Sequence, residues 1–153
     1  MSAAARDRVV DNLRRAFSGT AGPSANELAY KEDWDHESIV ADFWRHRDGA
    51  VPDNVLEAHA ESIVAFKPKA FAYFLPTYLI YSVTHVDSAV TDAVLSALLT
   101  ATTSSSSHWK ARLARLTDRQ RHAVAAYVRF MTSNDLPGFE QAELDRMLAF
   151  WSS

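Results

Sequence analysis

The sequence predicts an all-α fold: a compact single-domain bundle of seven to eight helices around a central apolar helix that a proline kinks. Three observations predict it. The chain has 153 residues, the length of one domain, and a domain of that size buries roughly 68–70% of the surface its unfolded chain exposes. Glycine and proline are scarce, four and five residues, and all of them except Pro76 fall where helical patterns stop. Between these marks apolar residues recur at i, i+3, i+4 and i+7, and no alternating strand pattern competes.

The elements follow in order. Residues 3–17 place Val9, Leu13 and Phe17 on one stripe, with Val10 and Ala16 beside it, an amphipathic helix. Residues 18–26 are small and polar, with Gly19, Gly22 and Pro23, and read as a linker that lets the first helix pack independently. A second helix is expected at 35–46 with Ile39, Val40 and Phe43 inward. Gly49 and Pro52 mark the next break. A third helix, 52–66, uses Pro52 in its first turn, where the missing N–H costs nothing, and turns Leu56, His59 or Ala60, and Ile63 to the core.

The fourth helix, 68–84, opens on Pro68 and is apolar nearly all round, the pattern of a helix surrounded by the rest of a fold. Pro76 cannot donate to the Ala72 carbonyl, so the helix should kink or break near 74–76. A fifth helix, 88–99, takes Asp87 as N-cap. The run Thr100-Ala-Thr-Thr-Ser-Ser-Ser-Ser107 lacks apolar anchors and reads as a mobile surface loop. A short helix spans 109–116. Thr117-Asp-Arg-Gln120 then fits a capping box opening a helix to about 134, and a last helix, 140–151, carries Glu140 and Glu143 in its first turn and turns Leu144, Met147, Leu148 and Trp151 inward. No repeat of fixed period appears.

Two runs carry a resemblance: Pro68-Lys-Ala-Phe-Ala-Tyr-Phe-Leu-Pro-Thr-Tyr-Leu-Ile-Tyr-Ser82, then Leu116-Thr-Asp-Arg-Gln-Arg-His-Ala-Val124. With the terminal Ala149-Phe-Trp151, they resemble a family of small uncharacterised all-helical bacterial proteins, a domain of unknown function, over about residues 33–151. The resemblance implies the fold and brings no activity, cofactor or site residue with it.

Composition narrows the function. The chain has no cysteine, so disulfides and thiol nucleophiles are excluded and a reducing compartment, the cytoplasm, is expected. Lys and Arg number 16 against 19 Asp and Glu, a net charge of −3, which makes nucleic acid an unfavoured partner. The longest apolar stretch, around 70–83, is shorter than the roughly 20 residues of a membrane span, and the start lacks a signal-peptide core, so a soluble, unprocessed chain is expected.

No catalytic motif stands out. The six histidines are scattered, with no i,i+4 pair of the kind that ligates zinc on a helix; Asp42 and His46 share a helix face as an orienting or exposed pair. Asp33-Trp-Asp-His-Glu37 begins like a calcium loop but has Ser38 where a turn glycine is needed and Trp44 where a bidentate Glu belongs. No metal and no cofactor is therefore expected.

Charge distribution is the informative feature. Glu27, Glu32, Asp33, Asp35, Glu37 and Asp42 face only Lys31 between residues 27 and 42, with Tyr30, Trp34 and Trp44 interleaved. Glu32, Asp33, Trp34, Asp35, Glu37, Asp42 and Trp44 are the candidate protein-binding residues: acids steer a basic partner and aromatics anchor it. The expected function is a small binding module without chemistry of its own, in one form an immunity-type inhibitor of a basic toxin. A plainer reading makes the acids a solvated helix entry with Trp34 tucked under the core. A basic stretch, Lys110, Arg112, Arg115, Arg119 and Arg121, is placed to neutralise the acidic one. The competing class is an enzyme or small-ligand protein with a pocket at the Pro76 kink, where Tyr73, Tyr78 or Tyr81 would offer hydroxyls.

Overall fold

A computed structural model describes residues 3–48 and 50–153; Met1, Ser2 and Gly49, the last of them read above as part of a break, lie outside the described residues. Eight α-helices occupy these residues: α1 (Ala3–Phe17), α2 (His36–Arg45), α3 (Asp53–Ala58), α4 (Pro68–Thr84), α5 (Ala89–Ala101), α6 (Ser107–Arg115), α7 (Asp118–Thr132) and α8 (Gln141–Ser152), with 3-10 turns at Ala25–Glu27 and Ala60–Val64. Among the described residues there is no strand, only an isolated antiparallel bridge between Ala29 and Phe66, and no helix is long and apolar enough to cross a membrane.

The all-α bundle is thus the one the periodicity predicts, and α4 is its centre. Ala70, Phe71, Phe74, Leu75, Tyr78, Leu79 and Val83 of α4 are buried, and the helix packs against α1, α5 and α6. Pro76 does not break it: the helix runs through from Pro68 to Thr84, because neighbours on several sides fix its path where the lost hydrogen bond alone would free it. A knot of rings fills the space beside it. Phe43 lies 4.9 Å from Phe66 and 5.0 Å from Phe74 in edge contacts, and Phe66 stacks on Phe74 at 5.3 Å, geometries that add roughly 0.5–1.5 kcal/mol per pair beyond area burial. Trp151 is buried and its indole N–H donates to the Leu98 carbonyl at 3.2 Å, tying α8 to α5.

Local chemistry sets the helix ends and corrects several boundaries. Thr117 and Gln120 form the expected capping box of α7. Ser88, not Asp87, caps α5, its hydroxyl accepting from the Val90 N–H. Of the Ser/Thr stretch predicted as a loop, Thr100 and Ala101 continue α5, Ala101 is buried, and the Ser106 hydroxyl caps α6 through the Trp109 N–H; hydroxyls that lack a core to join serve the orphan groups of two helix ends instead. The helix α1 does not pack apart from the rest: its Val9, Val10, Leu13, Ala16 and Phe17 are buried against α4 and α7. Finally, the helix expected over 52–66 is two pieces, α3 and the 3-10 turn Ala60–Val64, joined at His59 with φ −117° and ψ 35°. Its apolar positions Leu56 and Ile63 are buried as expected, so the burial pattern survives a change of helix type that periodicity does not register. This join builds the site.

Candidate functional site

His59 is the hinge between the two short helices, and its backbone is satisfied away from the α ladder. Its carbonyl accepts from the Ser62 N–H at 3.0 Å, the tighter 3-10 spacing, and from the Tyr78 hydroxyl of the central helix at 2.8 Å. The ring, 4% exposed, is packed by the edge of Phe43 at 5.3 Å. Its Nε2 lies 2.7 Å from Asp42 Oδ2, its Nδ1 3.1 Å from Ser62 Oγ and 3.7 Å from Asp35 Oδ2. A carboxylate only accepts hydrogen bonds, so Nε2 carries the proton that meets Asp42, and in the neutral ring Nδ1 is the lone pair to which Ser62 donates. Asp42 thus pairs with His59, seventeen residues away, and not with His46 as the helix spacing suggested.

His59 and Ser62 form part of the wall of a cleft of about 430 Å³ that is also lined by Asp33, Trp34, Asp35, Glu57, Glu61 and Val64. Trp34 stands at its edge with 94% of its surface exposed, and Val64 is 47% exposed. The reading that tucked Trp34 under the core is corrected: the turn at 33–35, held by the Asp35 N–H donating to Asp33 Oδ1 at 2.9 Å, points the indole outward while Ile39 and Phe43 of α2 fill the interior instead. The cleft continues along α5, where Asp92, Ala93 and Ala97 join Glu61 and Val64 in an adjoining groove. No lysine or arginine lines either part.

The structure sorts the residues singled out from the sequence. Asp33, Trp34 and Asp35 meet in the cleft. Asp42 backs it through His59. Glu37 is exposed on the first turn of α2. Glu32 reaches His108 at 3.9 Å, beside a Tyr30–His108 ring stack at 3.8 Å. Trp44 is half-buried under the Arg47 guanidinium at 4.2 Å, away from the cleft. The two charged stretches do not neutralise each other: among the described residues Glu32–His108 is the one ion pair that joins them. Arg112, central to the basic stretch, is only 2% exposed and donates to two carbonyls, Phe66 O at 2.9 Å and Val64 O at 2.7 Å. Burial pushes its guanidinium below its ordinary value, opposed by Tyr30 nearby. Two of the hydroxyls proposed for a pocket at Pro76 are used otherwise: Tyr73 donates to the Arg47 carbonyl at 2.6 Å and Tyr78 to that of His59 at 2.8 Å; the third tyrosine, Tyr81, stacks its ring on His85 at 4.0 Å. Burial raises the Tyr78 hydroxyl far above its ordinary value, so it stays a donor.

Sequence reasoning missed Glu57, Glu61, His59 and Ser62. The His59-x-x-Ser62 spacing was the available signal, but on a continuous helix 52–66 those side chains would have belonged to the buried stripe. Among the described residues no cluster of three His, Cys, Asp or Glu is arranged to hold a metal.

The chain is thus an all-helical bundle with a carboxylate-lined surface cleft. It belongs to the family described as Family of unknown function (DUF6714), which it matches over residues 5–153, the first helix included. No curated protein and no solved structure matches it.

Proposed function

We propose that the protein recognises a basic segment of another protein through the cleft formed by Asp33, Trp34, Asp35, Glu57 and Glu61. The observation that carries this reading is Trp34, a large aromatic side chain 94% exposed at the mouth of a cleft whose wall holds four carboxylates and no lysine or arginine. An isolated indole in water gains nothing by such placement, whereas at an interface it supplies a rigid anchor with a face for a cation. The carboxylates supply attraction that speeds encounter and rejects acidic partners. Binding in the cytoplasm, as suits a cysteine-free chain, and neutralisation of a basic toxin by an immunity-type inhibitor are the concrete form of this reading.

The test is a fluorescence anisotropy titration with labelled peptides of alternating Lys and Arg and of alternating Asp and Glu. The basic peptide is expected to bind, more weakly as salt rises, and the double reversal Asp33→Lys with Asp35→Lys to abolish binding. Equal binding of both peptides, or of the basic peptide to the reversed variant, overturns the reading.

A further inference from the structure

Recognition by Trp34 and the four carboxylates leaves two residues of the same cleft wall, His59 and Ser62, unused. In the neutral ring a serine hydroxyl donates to an imidazole whose other nitrogen is held by a carboxylate: Ser62 Oγ lies 3.1 Å from His59 Nδ1, and His59 Nε2 2.7 Å from Asp42 Oδ2. This is a nucleophile within reach of a base that a third group orients, the relation by which activated serines are recognised whatever the chain order. The ring is fixed before any substrate arrives, by Phe43 against its face and by the hydrogen bonds that hold the His59 carbonyl. Ser62, 7% exposed, and His59 both line the open cleft, so neither is sealed in the core.

We propose that Ser62 is a catalytic nucleophile that hydrolyses carboxylic esters bearing a positive charge on the acyl side, with His59 as its base and Asp42 as the positioning residue. Ser62 Oγ bonds to the acyl carbon as its proton passes to His59 Nδ1. The bond from that carbon to the leaving oxygen breaks, and the departing alkoxide takes the proton as the alcohol. Water then attacks the acyl-serine, giving a proton to Nδ1; the bond to Ser62 Oγ breaks, Oγ regains the proton, and the carboxylic acid leaves. Ester and water become acid and alcohol, and no other reactant is consumed. Positive charge that develops on the ring in each step is met by Asp42 on one side and by Asp35, 3.7 Å from Nδ1, on the other. The preference for a cationic acyl group rests on the acidic-cleft reading; the nucleophile does not.

The experiment treats the full chain with a fluorophosphonate probe, maps the modified residue by mass spectrometry, and compares turnover of benzoyl-arginine ethyl ester with that of acetyl-tyrosine ethyl ester. Phosphonylation of Ser62 in the wild-type chain is expected, with label and arginine-ester turnover both lost in Ser62→Ala. Asp42→Asn is expected to lower kcat by about 10²–10⁴-fold with KM little changed, a split that a merely structural role would not give. No label on Ser62, or arginine-ester turnover that survives in Ser62→Ala, overturns the proposal even if the basic peptide binds. Label on Ser62 with equal turnover of the two esters overturns the cationic substrate class and counts against the acidic-cleft reading, while the nucleophile stands.

Discussion

The aromatic knot around α4 and the cleft beside the 33–35 turn are built from the same kinds of side chain under opposite rules. In the knot, Phe43, Phe66, Phe74 and Tyr78 are fully enclosed and meet in both edge and stacked contacts, and each polar atom that enters is met. Among the described residues no buried side-chain nitrogen or oxygen lacks a partner. In the cleft an aromatic ring of similar size stands in solvent, and Glu57 and Glu61 pair with no cation among the described residues. His59 and Ser62 lie on the boundary, their backbone anchored to the knot and their side chains opening on the cleft. The contrast teaches that stability and recognition draw on separate residues here, so they should respond separately to mutation.

The largest loss of stability is expected at Phe43. Its ring meets Phe66, Phe74, Tyr78 and His59, and Phe43→Ala empties the middle of the knot. A loss of about 3–5 kcal/mol is expected, which at roughly 2–4 °C per kcal/mol for a chain of this size lowers Tm by about 10 °C. Calorimetry checks it. A loss under 1 kcal/mol would mean that the rings are loosely packed and that the two regions do not differ as described.

A smaller effect is expected where the two regions join. Arg112 crosses from α6, lies over the Trp109 ring at 4.9 Å, and holds the carbonyls of Val64, on the cleft wall, and Phe66, in the knot. Arg112→Ala leaves one buried and one half-buried acceptor without their donor and should cost about 2–4 kcal/mol, measured by urea denaturation. Arg112→Met restores the packing but not the hydrogen bonds, and should recover part of the loss. Full recovery by Met would assign the role of Arg112 to its aliphatic stem alone.

The knot was legible in the sequence and the cleft only in part, for a physical reason. A helix that is apolar on every side, as Pro68–Thr84 is, has few places to go other than the centre, so its position followed from composition; Trp151 followed from the stripe it shares with Leu144 and Met147. The capping box at Thr117 and Gln120 was legible because both its hydrogen bonds lie within one turn. The site depends on longer reaches. Asp42 and His59 are brought together where neighbouring residues of α2, Asp42 and Phe43, meet the His59 ring, and nothing local marks either of them. Leu56 and Ile63 are seven residues apart, the spacing of one face of a continuous α-helix, and both are buried, so the break at His59 that aims its ring was hidden. The charge imbalance at 27–42 was visible, yet it did not tell Trp34, which faces water, from Trp44, which shelters beneath Arg47.

That distinction between tryptophans supplies the smallest expected change in stability and the clearest separation of the two regions. Trp34 is exposed over 94% of its surface and no hydrogen bond or ring contact ties it to the fold, so truncation removes almost no buried apolar area. Trp34→Ala should therefore shift the unfolding free energy by no more than about 0.5 kcal/mol, as for other surface substitutions. The same variant should weaken capture of the basic peptide by about 30-fold, the roughly 2 kcal/mol expected of an aromatic anchor, and Trp34→Phe should restore part of it. A stability loss as large as that at Arg112 would show the indole folded onto the protein in solution, and the cleft would then lose its anchor along with its contrast to the knot.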